Sequence, residues 1–87
     1  MTPTAEPTPA GPCRASITAD LNVRAGPGTT YQILGTLKRP ATVEVLGRTL
    51  ENGRGWWRID YGGARGWIAS WYTATQGPCY ALPLEAP

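Results

Sequence analysis

The run Gly55-Trp56-Trp57-Arg58-Ile59-Asp60-Tyr61-Gly62-Gly63-Ala64-Arg65-Gly66-Trp67-Ile68-Ala69 constrains what this chain can fold into more than any other stretch. Two consecutive glycines supply the positive φ that a two-residue hairpin loop of the mirror-image type demands, and segments rich in Trp, Ile and Tyr flank them. The stretch reads as one β-hairpin, and its register follows by counting outward from the turn. Tyr61 faces Ala64, then Asp60 faces Arg65, Ile59 faces Gly66, Arg58 faces Trp67, Trp57 faces Ile68 and Trp56 faces Ala69. Side chains alternate between the two faces of a strand, so the pairs divide into two sets. Trp57, Ile59, Tyr61, Ala64 and Ile68, with Gly66 opposite Ile59, form an apolar face that reads as core. Trp56, Arg58, Asp60, Arg65 and Trp67 form the other, and a face meant only for water seldom carries two Trp.

With 87 residues, 41% of them hydrophobic, the chain has material for one small domain. A domain of this size often needs a disulfide, a metal or a partner to be stable. Cys13 and Cys79 are separated by far more than any zinc motif uses, and the sequence contains no His and no third Cys. A disulfide is therefore expected in preference to two buried free thiols, which places the protein in an oxidising compartment. The net charge of +2 comes from seven Arg and one Lys against six acidic residues, and the Arg are scattered. That falls short of the dense basic stripe of a nucleic-acid binder, so no nucleic-acid partner is expected. No apolar run is long enough to span a bilayer, and residues 1–4 lack the apolar segment of a signal peptide. An extracytoplasmic module without an export signal is expected to be a piece of a longer protein.

Residues 1–12, with four Pro, three Thr and two Ala, carry too little apolar surface to fold alone and read as an extended linker. From residue 13 the character changes. Ala15-Ser16-Ile17-Thr18 and Leu21-Asn22-Val23-Arg24 read as short strands, and Gly26-Pro27-Gly28-Thr29 as a type II turn. Tyr31 to Leu37 and Thr42 to Leu46 are further strands, separated by Lys38-Arg39-Pro40. Gly47 to Gly55 reads as a polar loop. After the hairpin, Ser70-Trp71-Tyr72 suits a single 3-10 turn and Thr73-Ala74-Thr75 a last strand. Closely spaced short strands with turn signals between them point to a small all-β barrel.

The motifs Leu21-Asn22-Val23-Arg24-Ala25-Gly26-Pro27, Tyr31-Gln32-Ile33-Leu34-Gly35-Thr36-Leu37, Gly55-Trp56-Trp57-Arg58-Ile59 and Gly66-Trp67-Ile68, in that order, resemble the bacterial SH3 domain over about residues 16 to 75. The resemblance implies an all-β, SH3-like barrel of five to six short strands with one 3-10 turn, over residues 13–79, leaving 80–87 as a C-terminal tail or linker. It also implies an exported or cell-surface bacterial protein. Pro40 stands where the family commonly has Gly, and the loop from Thr49 to Gly55 is longer than usual. Laid onto the eukaryotic SH3 groove, Trp56, Trp67 and Tyr72 fall on groove aromatics. Asn22 and Arg24 fall where that groove has two Tyr, and Ala69 where it has Pro, which speaks against polyproline recognition.

No catalytic constellation is evident. There is no His, the two Ser lack a base and the carboxylates are dispersed, so no enzyme activity and no metal or other cofactor is expected. The expected site is a shallow aromatic strip with cationic edges made by Trp56, Trp67, Tyr72, Arg58, Arg24 and Asn22. Arg24 has a structural alternative as a donor to loop carbonyls. Such a strip suits a monomeric binding module that holds its parent at the cell envelope, on peptidoglycan or a wall-associated peptide or glycan. The alternative is an interaction or spacer domain that contacts a partner protein or a neighbouring domain.

Overall fold

The computed structural model describes residues 12–85. The linker expected at residues 1–12 lies outside them except for Pro12. Eight strands follow in order: β1 (Arg14–Ile17), β2 (Leu21–Arg24), β3 (Ile33–Leu37), β4 (Thr42–Glu44), β5 (Gly47–Glu51), β6 (Arg54–Tyr61), β7 (Ala64–Ala69) and β8 (Thr73–Gln76). A 3-10 turn at Ser70–Tyr72 separates β7 from β8, and a second spans Cys79–Ala81. The strands form two antiparallel sheets, β4-β1-β8 and β3-β2-β7-β6-β5. The all-β, SH3-like architecture is as expected.

The β6–β7 hairpin has the register obtained by counting, from Tyr61↔Ala64 to Trp56↔Ala69. Gly62 and Gly63 have φ of 60° and 87°, as a two-residue loop of this type requires. Trp57, Ile59 and Ile68 are buried in the main core with Ala15, Ile17, Leu21, Val23 and Val45, while Tyr61 packs at its margin and Ala64 is exposed. Gly66 on β7 sits where a side chain would run into Val23 of the neighbouring strand β2, so a glycine is needed at that point of the sheet. The Trp57 indole N–H is satisfied by donating to the Thr73 hydroxyl at 2.9 Å, which in turn donates to the Ser70 carbonyl.

Three expectations are corrected here. Gly47 to Glu51 is a strand rather than a polar loop, because Asn52 (φ 54°) and Gly53 (φ 76°) form a second two-residue turn that pairs β5 with β6. The strand count rises to eight, since the segment read as Thr42 to Leu46 ends at Glu44 and the chain then passes to the other sheet as β5. Residues 80–85, set aside as a tail, are docked. Tyr80 packs edge-on to Trp57 with centroids 5.6 Å apart, Leu82 packs against the core, and Leu84 makes a parallel bridge to Arg48 on the outer edge of β5.

Cys13 and Cys79 form a disulfide with a Cα–Cα distance of 4.8 Å. The bridge ties the start of β1 to the turn that begins this C-terminal segment.

Candidate binding site

The 3-10 turn at Ser70–Tyr72 lies against the start of β6, where a Cβ on Gly55 would come within 2.8 Å of the Ser70 hydroxyl. Its other side is fixed by the Tyr72 carbonyl, which accepts from the Thr18 amide at 2.8 Å and from the Thr18 hydroxyl at 3.0 Å. A turn held from both sides has no room for its aromatic side chains inside. Trp71 and Tyr72 therefore project outward, 40% and 46% exposed.

Trp71 stands edge-on to Trp56, with centroids 5.3 Å apart and planes at 85°, and leans toward Tyr72 at 6.0 Å. The Arg54 guanidinium lies 5.0 Å from the centroid of the Trp71 ring, a cation–π contact. These side chains form one wall of an open cleft of about 460 Å³. Asp20, Leu21, Asn22 and Arg24 line the facing side, and the nearly buried Trp56 and Ala69 contribute at its base. Two further hollows next to it, of about 200 and 490 Å³, share Arg54 and Trp71, so this pair stands at the centre of the concave surface.

The charges around the cleft are unequally engaged. Asp20 accepts from the Arg39 amide at 2.7 Å and lies near Lys38 and Arg39. Arg24 donates to the Tyr31 carbonyl at 3.0 Å, the loop-carbonyl role weighed for it in the sequence, and this orients its guanidinium. Among the described residues, the ion pairs join Lys38 and Arg39 to Asp20 and Arg58 to Glu85, and neither Arg24 nor Arg54 takes part.

Four of the expected residues, Asn22, Arg24, Trp56 and Tyr72, come together in this cleft. The other two do not line it. Trp67 is 3% exposed and forms a small second core with Trp56 and Ala69. Arg58 lies toward the other end of the hairpin, where it makes two 2.9 Å hydrogen bonds to the Glu85 carboxylate. The expected exposed strip of Trp56 and Trp67 is thus corrected to a buried pair: on the face turned away from the main core the two rings pack with Ala69 in a cluster of their own, and Trp71 packs against Trp56. Trp71 and Arg54 take the exposed role. Trp71 was legible as an aromatic on a turn too short to bury it; Arg54 was hidden by reading its segment as a loop.

A family model described as bacterial SH3 domain matches residues 19–74. The chain belongs to the bacterial SH3 domain family. This is a non-catalytic domain type, and the matched span contains every residue that lines the cleft. A curated protein of Bacillus subtilis (strain 168), named "Putative N-acetylmuramoyl-L-alanine amidase YrvJ", is 34% identical to it over 58 residues, which is 67% of this chain. The match covers 10% of that relative's length. Cys13 and the docked segment after β8 lie outside the residues that the bacterial SH3 family model covers. Among the described residues, no helix is long and apolar enough to cross a membrane.

Proposed function

We propose that this bacterial SH3 domain is a non-catalytic module that attaches its parent protein to the cell wall, and that the Trp71 cleft is its binding site. The observation that carries the proposal is the exposed Trp71–Tyr72 pair facing Asn22 and Arg24, with Arg54 stacked on Trp71. A flat aromatic wall suits the face of a sugar ring or a peptide plane. The guanidinium groups of Arg24 and Arg54, which join no ion pair among the described residues, suit the carboxylates of peptidoglycan stem peptides. The similarity to a protein named as a muramoyl-alanine amidase supports the same ligand class. An extracytoplasmic location accords with the disulfide.

Open aromatic sites on small modules bind weakly, and an affinity in about the micromolar to millimolar range is expected, raised in the parent by multivalency. Co-sedimentation with purified sacculi tests this. The domain should pellet with them, and Trp71→Ala should stay in the supernatant while keeping its far-UV spectrum. Equal pelleting of both would remove the cleft from the account.

A further inference from the structure

The outer edge of β5 holds a second built surface, away from the residues that line the cleft. An edge strand offers unpaired backbone groups that a further extended segment can use. Here the chain's own residues 82–85 use them. The Glu85 amide donates to the Arg48 carbonyl at 2.7 Å, the Thr49 hydroxyl donates to the Glu85 carbonyl, and Leu84 pairs with Arg48 in parallel. Arg48 reaches back, its Nε donating to the Leu82 carbonyl at 2.7 Å and its Nη2 to the Tyr80 carbonyl at 3.1 Å. The Glu85 carboxylate ends on Arg58, and a Cβ on Gly47 would collide with it. Backbone pairing, two arginines and a glycine cradle thus converge on one short extended segment bearing one carboxylate.

We infer that the β5 edge, with Arg48, Gly47 and Arg58, is a binding site for an extended acidic peptide, and that the segment Leu82-Pro83-Leu84-Glu85 fills it in cis. The disulfide roots this segment three residues before Leu82, at Cys79, which gives the tethered copy a high effective concentration over any competitor. The site is separate from the Trp71 cleft: none of its residues lines that cleft.

The test uses the full chain and a synthetic peptide of residues 80–87. In a chain carrying Leu84→Asp and Glu85→Arg the tethered segment is released, and the peptide should bind saturably at the β5 amides by NMR. The unaltered chain should bind it about tenfold more weakly or not at all, since its own segment competes. Adding Arg58→Glu to the released chain should abolish binding, and a peptide with Arg in place of its Glu should restore it. A released chain that keeps its fold and ignores the peptide, or binds it regardless of Arg58, overturns the inference. Should that variant not fold, hydrogen exchange in the unaltered chain decides. The Glu85 amide should be protected, and Gly47→Ala should erase that protection while sparing the β6–β7 amides. A Glu85 amide that exchanges at the free-peptide rate in the unaltered chain would contradict the inference.

Discussion

The two faces of the β6–β7 hairpin begin from similar material, Trp57 on one and Trp56 with Trp67 on the other, and end differently. On one, Trp57 is sealed by the main core, by Thr73 on its indole N–H and by Tyr80 from the docked C-terminal segment. On the other, Trp56 packs with Trp67 and Ala69 in a small separate cluster and meets Trp71, which is itself 40% exposed. The sealed flank spends its aromatic surface on stability. The open flank passes that surface outward through a second ring, which stands in water beside Arg54 and near Arg24, neither of which joins an ion pair among the described residues. What separates a sealed Trp from one that leads to the surface in this barrel is therefore the layer laid over it, more than the face it sits on.

The comparison is tested first where the expected effect is largest. Trp57→Ala should cost about 3 to 5 kcal/mol in denaturant unfolding, because it opens a cavity in the main core and leaves Thr73 without its donor. Trp56→Ala should also destabilise, by about 3 kcal/mol, being equally large and nearly as buried. An unchanged midpoint for Trp56→Ala would mean that the open flank is open down to its base.

Removing the disulfide by Cys79→Ser comes next. The chain-entropy model gives about 4 kcal/mol for a loop of this length as an upper figure, and the thermal midpoint should fall while the far-UV spectrum persists. The barrel strands lie between the cysteines, so protection of β6 and β7 amides should survive when protection of residues 80–85 declines. Loss of both together would mean that the docked segment and the barrel fold as one unit.

Trp71→Ala should cost about 1 kcal/mol or less, as for a half-exposed ring, yet abolish wall binding. Its stability effect and its binding effect should thus rank in the opposite order from those of Trp57→Ala.

The smallest effect belongs to the Arg58–Glu85 pair. Arg58 hydrogen bonding holds the Glu85 carboxyl below its usual range, and the same bonds raise Arg58. A carboxylate with a depressed pKa contributes stability that is complete above its unfolded value, about 4.3 for Glu, and is lost as pH falls through the lower folded value. Glu85→Gln should therefore lower stability at neutral pH by about 0.5 to 1 kcal/mol, and the difference from the unaltered chain should vanish in acid. A difference that persisted at low pH would assign the effect to packing.

How much of this was legible in the sequence depended on whether the deciding interaction was local. The β6–β7 register was, since a two-glycine loop and period-two alternation fix it within fifteen residues. The β5–β6 hairpin was equally local. Asn52-Gly53 is a strong turn signal, but the polar residues around it suggested a loop, and a strand at a sheet edge needs no apolar pattern. The barrel class followed from strand spacing. The burial of Trp56 and Trp67 did not, because it depends on their packing with each other and Ala69 on the outer face and on where the Ser70–Tyr72 turn settles. The docking of residues 80–85 was harder still, since Leu82-Pro83-Leu84-Glu85 resembles a linker and its partners Arg48 and Arg58 lie 27 or more positions earlier.

The most direct test of the open flank as the binding site is an amide and indole NMR titration with soluble peptidoglycan fragments. The Trp71 indole N–H and the backbone amides of Asn22, Arg24, Arg54 and Tyr72 should shift together and saturate, while those of Arg48, Arg58 and Glu85 stay in place. Shifts centred on the β5 flank, or none at the Trp71 cleft while intact sacculi still capture the domain, would contradict it.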